Sequence, residues 1–276
     1  MNFVEAIILG IIQGLTEFLP VSSSGHLVLL QQFLGLKEAE LFFDVCVHLG
    51  TLAAVLIVFR KDVKNIIMAL LRLLALAGQK DRLRFAIESD PELKMALLIV
   101  IGSIPTALLG LAFSGIADRL FASVFIVGLM LIVTGLLLWL TRWRTKRSQP
   151  LDRSRLTLIN AFLIGIVQGL AIIPGISRSG STISIGLLLG INRELAARYS
   201  FLLSIPAIVG AGLLSLKDAS AGTDLALQIP LVGALTAAIV GYAALRALLQ
   251  VVKKGGLHLF APYCWLIGIV AVIWGW

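Results

Sequence analysis

Apolar residues run along this chain in long blocks and do not alternate. Six blocks are long enough to cross a bilayer as helices, which takes about 20 residues at roughly 1.5 Å each. They are Leu41–Phe59, Met95–Phe113, Phe121–Leu140, Ala196–Leu216, Ile229–Leu249 and Phe260–Trp276. Two further blocks are interrupted. Phe3–Leu19 runs into Pro20-Val-Ser-Ser-Ser-Gly25 and then a short apolar stretch to Leu36. Leu158–Ile173 runs into Pro174-Gly-Ile-Ser-Arg-Ser-Gly180 and a short stretch to Ile191. Each second half has only about ten residues, roughly 15 Å of helix, which reaches mid-bilayer and not across it. The pattern predicts an all-α polytopic membrane protein. It would have six transmembrane helices and two re-entrant helix–loop–helix hairpins, 3–36 and 158–191.

The two hairpins are related. At an offset of 155, Gly10, Gln13, Gly14 and Leu15 match Gly165, Gln168, Gly169 and Leu170. Ser22, Ser24 and Gly25 match Ser177, Ser179 and Gly180, and Leu34-Gly35 matches Leu189-Gly190. Three spans follow each hairpin. The chain therefore reads as one membrane domain made of two repeats, about 1–141 and about 156–276. An odd number of spans per repeat inverts the second copy in the membrane.

Composition agrees with this reading. Of the 276 residues, 59% are hydrophobic and 14% charged, with a mean hydropathy of +1.00. A disordered chain, a nucleic-acid-binding domain and an ordinary cytosolic enzyme are excluded. The net charge of +8 reflects loop lysines and arginines, not a nucleic-acid surface. Threading the predicted crossings puts 19 Lys/Arg on one side, largely in 60–94 and 141–156, and only Lys37, Arg119 and Lys217 on the other. The basic side is cytoplasmic by the positive-inside rule, so both termini face outward. The segment Asp62–Ala77 reads as an amphipathic helix on the cytoplasmic surface. The N-terminus lacks a basic leader region and is expected to belong to the mature protein. Cys46 and Cys264 lie in apolar runs and form neither a disulfide framework nor a zinc pattern.

Irregular backbone at membrane depth survives where it is buried or lines a cavity. Both hairpin tips are rich in Ser and Gly, and both open into a helix. The free N–H groups and partial positive charge of a helix N-terminus suit phosphate. Arg178 at one tip adds a planar donor fork. The other tip offers Glu17 and His26, with Gln13 four residues before Glu17 on the same helix face. Ionisable groups at this depth are costly, so a functional role is the default. Together these groups suggest phosphoryl chemistry. Glu17 and Gln13 offer oxygen ligands for Mg²⁺ or Ca²⁺. His26 is a candidate base or nucleophile, with Ser22 or Ser23 beside it.

These residues carry a resemblance. Gln13-Gly-Leu-Thr-Glu17-Phe-Leu-Pro-Val-Ser-Ser-Ser-Gly-His26 resembles the (Glu/Gln)-x-x-x-Glu motif and following loop of the undecaprenyl pyrophosphate phosphatases, the bacitracin-resistance type of membrane phosphatase. Pro174-Gly-Ile-Ser177-Arg178-Ser179-Gly-Ser-Thr182 resembles that family's Pro-Gly-x-Ser-Arg-Ser-x-x-Thr motif. The resemblance spans essentially the whole chain. It implies hydrolysis of the C55 isoprenoid diphosphate to the monophosphate, which recycles the lipid carrier of bacterial cell-wall synthesis. It also implies a divalent cation, an inner-membrane location and a site open to the outer side. Ser22, Ser24, Ser177, Ser179, Thr182 and Arg178 would then contact phosphate. Glu17, His26, Ser23 and Arg178 would form the catalytic set, and Glu17 with Gln13 the metal site. The attacking group stays open among His26, a serine such as Ser23, and water.

Simpler readings stand beside these. The Ser22–Ser24 and Ser177–Thr182 hydroxyls are also turn formers and caps. Gly14, Gly25, Gly175 and Gly180 suit close backbone approach. Asp44 and His48, four apart on one helix, read as supporting or interfacial rather than catalytic. Gln168 repeats Gln13, but Ile172 stands where Glu17 would recur, which suits one composite site. A transporter or flippase for a lipid phosphate or small anion is the rival, since inverted repeats with broken helices are common among carriers. Against it, a carrier gains little from a carboxylate aimed at its anion. The sequence does not choose between a single copy and a homodimer.

Overall fold

The computed structural model describes residues 1–35, 41–76, 78–146, 156–219 and 227–276. Leu36, Ala77 and most of the 141–156 loop lie outside them. The described residues form α1 (Phe3–Phe18), α2 (Ser23–Phe33), α3 (Leu41–Val58), α4 (Arg60–Ala75), α5 (Lys80–Ser89), α6 (Pro91–Phe113), α7 (Ala117–Phe121), α8 (Val124–Lys146), α9 (Leu158–Leu170), α10 (Arg178–Leu188), α11 (Arg193–Ala219), α12 (Gln228–Lys253) and α13 (Ala261–Gly275). No strand occurs among them. Five stretches, carried by α6, α8, α11, α12 and α13, are long and apolar enough to cross a membrane. The sixth predicted block behaves differently. Its helix α3 turns through 88° into α4 at Phe59. Charge explains the turn, because Arg60, Lys61 and Asp62 open α4. α4 corresponds to the predicted amphipathic segment, begun two residues earlier. Its Ile66 and Ala69 are buried, while Ile67, Leu71 and Leu74 form an exposed apolar stripe. α5 and α7 are helices that the sequence pattern does not predict.

Helix ends obey the internal offset. α2 and α10 have 11 residues each and begin 155 positions apart. Asn2 caps α1 through a reciprocal box with Glu5, and its counterpart Thr157 caps α9. Ser22 and Ser177 cap α2 and α10, each accepting a hydrogen bond from the N–H three residues on. α9 ends at Leu170, three residues short of the predicted Ile173, and 171–177 form the turns of that tip.

Each hairpin packs its first helix on a span from the other half of the chain. α1 runs parallel to α12, and α9 runs parallel to α6. The contact requires small residues. A Cβ on Gly10 would stand 2.6 Å from the Gly233 carbonyl oxygen, and one on Gly165 would collide with the Gly102 carbonyl. Halfway along α12, the Phe18 ring lies against Gly241. Near the middle of α8, Thr134 accepts from Ser177 N at 3.0 Å and donates to Gly175 O at 2.9 Å. Both tips are thus held at mid-height of the bundle. Phe18 packs against Phe201 of α11 with ring centroids 5.9 Å apart, which ties the first tip to the buried core.

Charged pairs gather at one end of the bundle. Arg198 bridges Asp62 of α4 and Glu92 of α6, and Lys253 pairs with Glu194 at 2.9 Å. The chain termini lie at the opposite end. Met1 and Ile229, the latter at the start of α12, pack against the same buried cluster, and Trp276 meets Phe125 at the start of α8.

Candidate active site

The two tips meet. Ser22 has φ 70° and ψ 98°, a left-handed backbone that non-glycine residues rarely adopt. Its Oγ accepts from Gly25 N at 3.3 Å and from Gly175 N of the other tip at 3.2 Å. One hydroxyl therefore caps its own helix and locks the opposing loop, which helps hold the strained residue in place. Gly175, at φ 97°, makes the reciprocal sharp turn. Ser179 Oγ donates to Phe18 O at 3.1 Å. α2 and α10 consequently begin beside each other, and first-turn N–H groups lack partners within their own helix. Their partial positive charges add at the same place.

The acid sits against this junction. Glu17 and Gln13 face inward from α1 and are 8% and 0% exposed. Arg178, the first residue of α10, donates from Nη2 to Glu17 Oε1 at 2.5 Å. Glu17 Oε2 accepts from Ser23 Oγ at 2.6 Å and from Gln13 Nε2 at 3.0 Å. His48 Nε2 of α3 stands 3.7 Å from that oxygen. Two buried atoms of this cluster have no hydrogen-bond partner among the described residues: Gln13 Oε1 and Arg178 Nη1. One is an acceptor and the other a donor. A buried polar atom without a partner costs about 1–3 kcal/mol, so each leaves room for one further hydrogen bond or ligand.

Of the predicted residues, Gln13, Glu17, Ser23 and Arg178 converge. The others are arranged differently. His26 has its Nδ1 2.8 Å from Ser22 O and its Nε2 2.8 Å from Tyr263 OH, and the two rings stack at 5.7 Å. Ser22 lies beside it, as the sequence suggests, but through its backbone carbonyl and not its hydroxyl. Ser22, Ser177 and Ser179 use their hydroxyls as caps and bonds between tips. Ser24 Oγ lies 3.4 Å from Ser22 Oγ. Thr182 Oγ1 binds Arg178 O at 2.7 Å and faces Ser200 Oγ. Their order around the tips follows from capping, which competes directly with phosphate contact for the same oxygens. Asp44 accepts from Gln31 Nε2 at 2.9 Å and its helix neighbour His48 reaches Glu17. The four-residue spacing of Asp44 and His48 was the only sequence signal for that approach. Nothing in the sequence places Tyr263 beside His26, because the two are 237 residues apart.

The cluster suits a hard divalent cation of the kind that takes few protein ligands and completes its shell with substrate phosphates. Glu17 supplies a carboxylate with several lone-pair directions, and the unpartnered Gln13 Oε1 supplies a neutral oxygen beside it. Among the described residues no three His, Cys, Asp or Glu side chains group as a metal centre. A cage built from protein alone is therefore not what this site offers.

Comparison with known proteins bears on this arrangement. The family described as bacitracin resistance protein BacA matches residues 6–270. A protein of Desulforapulum autotrophicum named undecaprenyl-diphosphatase is 50% identical over 278 residues, covering 100% of this chain and 99% of that protein. One of Desulfatibacillum aliphaticivorans, with the same name, is 50% identical and covers 99% of both. One of Methanosphaera stadtmanae, also so named, is 42% identical over 99% of this chain and 98% of its own length.

Proposed function

The chain belongs to the BacA bacitracin resistance family, and on that premise we propose that its chemistry occurs where Glu17 meets Arg178. It is a multi-pass membrane hydrolase that converts undecaprenyl diphosphate to the monophosphate. The observation that carries the site assignment is the pair of buried unpartnered atoms, Arg178 Nη1 and Gln13 Oε1, flanking one carboxylate at two helix N-termini. The donor matches a phosphate oxygen and the acceptor a cation.

In this reading the terminal phosphate rests on Arg178 and the first turns of α2 and α10. Glu17 and Gln13 would hold Mg²⁺ or Ca²⁺, which when bound would neutralise phosphate charge and polarise the phosphorus. Ser23 is the attacking group. Its Oγ–H already points at Glu17 Oε2 at 2.6 Å, whereas His26 has both ring nitrogens engaged. As Ser23 Oγ bonds to the terminal phosphorus, its proton passes to Glu17. The bond from that phosphorus to the bridging oxygen breaks, and the departing lipid phosphate takes the proton. Water then displaces phosphate from Ser23, and Glu17 carries the water's proton back to the serine oxygen. Arg178 meets the charge that develops on the transferred group. All these residues come from one chain, so a homodimer is not required. A carrier reading is not favoured, because Glu17 would repel the anion it transports.

Ser23→Ala tests the assignment. Phosphate release from the purified protein should fall by at least about 10²-fold per folded molecule. His26→Gln should lose less. The reverse order would make His26 the attacking group.

We further propose six spans with two re-entrant hairpins in an inverted repeat, set in the bacterial inner membrane with the termini and site facing outward. Support comes from the reciprocal packing of α1 on α12 and α9 on α6, the tips at mid-height, and the 19:3 split of basic residues between the two sides in the sequence. A periplasmic reporter fused after Trp276 should be active. A cytoplasmic signal from that fusion would overturn this topology.

A further inference from the structure

We infer that His48 Nε2 is a third protein ligand of the cation at Glu17 and Gln13, so that the site favours a first-row divalent ion such as Mn²⁺ over Ca²⁺. The inference rests on the reading that Glu17 and Gln13 hold a cation. His48 lies on α3, a helix that the proposed reaction does not otherwise use. Its Nδ1 is 2.7 Å from the backbone carbonyl oxygen of Asp44. A carbonyl only accepts, so Nδ1 carries a proton, and the tautomer this selects is the one that presents its lone pair at Nε2. That lone pair stands 3.7 Å from Glu17 Oε2, which is itself an acceptor. The distance is too long for a hydrogen bond. It is shorter than twice a metal–ligand bond of about 2.1 Å, so an ion bonded to both atoms fits between them, off the line joining them.

One shared proton would explain His48 and Glu17 alone, as an imidazolium paired with a carboxylate. It leaves Gln13 Oε1 unexplained. That atom is fully buried, has no partner, and belongs to an amide already bonded to the same Glu17 oxygen. Turning the amide over brings Oε1 to the Nε2 position beside Glu17 Oε2, which directs a third acceptor to this point, and leaves the amide N–H groups where the unpartnered oxygen stood, facing the phosphate site. Three acceptors around one position call for a cation of higher charge than a proton. The outer contact of His48 fits as well. A metal-bound imidazole usually donates its other N–H to a carbonyl or carboxylate, which fixes ring and tautomer. Asp44 is fixed in turn by Gln31 Nε2 at 2.9 Å. Arg178 occupies Oε1, the other carboxylate oxygen, so the ion shares Oε2 with the Ser23 hydroxyl. An imidazole ligand shifts preference from Ca²⁺, which takes oxygen, toward first-row ions.

The probe is Mn²⁺ alone, added to chelator-stripped, detergent-purified full-length protein and followed by electron paramagnetic resonance. Wild type should bind one Mn²⁺ whose spectrum carries coupling to a histidine nitrogen. His48→Gln should lose that coupling and bind Mn²⁺ at least about tenfold more weakly. Its Ca²⁺ affinity, measured by calorimetry, should change far less. Should His48→Gln fail to fold, His48→Asp supplies an oxygen ligand and should hold Mn²⁺ without nitrogen coupling. His258→Gln is the control and should keep it. Bound Mn²⁺ that lacks nitrogen coupling in wild type, or keeps it in the His48 variants, overturns the His48 inference. If Glu17→Gln then abolishes that binding, the Glu17 cation reading still stands. Folded wild type that binds no Mn²⁺ overturns both.

Discussion

Glu17→Gln should release phosphate from undecaprenyl diphosphate roughly 10²–10⁴-fold more slowly than wild type. The substitution keeps shape and a neutral oxygen but removes the charge that Arg178, Ser23 and Gln13 surround. Three consequences follow from one change. Ser23 loses the acceptor for its proton, a cation held there would lose the Glu17 carboxylate, and Arg178 loses its counter-charge. The last has a structural readout. Removing one partner of a buried ion pair costs about 3–5 kcal/mol, and an amide that still accepts a hydrogen bond should recover part of that. The variant should therefore melt earlier as well as turn over slowly. Gln13→Glu should be tolerated and should tighten cation dependence, since it adds a charge where an unpartnered oxygen now sits. Wild-type turnover and wild-type cation dependence in Glu17→Gln would remove this carboxylate from the reaction.

Arg178→Lys should stay folded yet lose at least about 10²-fold in turnover, on the order of 3 kcal/mol of transition-state stabilisation. Lysine can satisfy Glu17 with its single charged end. It cannot also present the second donor, the one that Arg178 Nη1 holds free. If Arg178 served only to pin the tips together, the pattern would invert: the melting temperature and yield would drop while each surviving molecule kept its turnover. Recording both on one purified sample separates the cases. Near-normal turnover per folded molecule would take Arg178 out of the site.

Much of the architecture is legible in the residues because the tips are punctuated locally. Pro20, Pro174 and the Ser-Gly runs break the apolar blocks, and the capping serines Ser22 and Ser177 start the short helices where the repeat places them. Local chemistry sets those boundaries, so a single sequence reveals them. The 88° turn after Val58 is less legible, since apolar residues continue through Phe59 and only the charges that follow mark the change. The site divides the same way. Gln13 and Glu17 are visible as one face of one helix, and Arg178 as the misplaced charge of the other tip. The partners of His26 and the approach of His48 depend on how α13 and α3 pack, and packing partners far apart in sequence leave no local trace. The hydroxyls of Ser177, Ser179 and Thr182 match a phosphate-binding pattern and a capping pattern equally well. In the fold they bond to backbone and to one another.

The claim that Glu17 and Arg178 form one site is tested most directly by a double-mutant cycle. Phosphate release from undecaprenyl diphosphate is measured per folded molecule for wild type, Glu17→Gln, Arg178→Lys and the double variant. Groups that act as a unit are strongly non-additive, because the first loss already disables what the second residue does. The double variant should fall no more than about tenfold below the slower single variant. Losses that multiply in full would show two residues acting independently, and would contradict a single Glu17–Arg178 site.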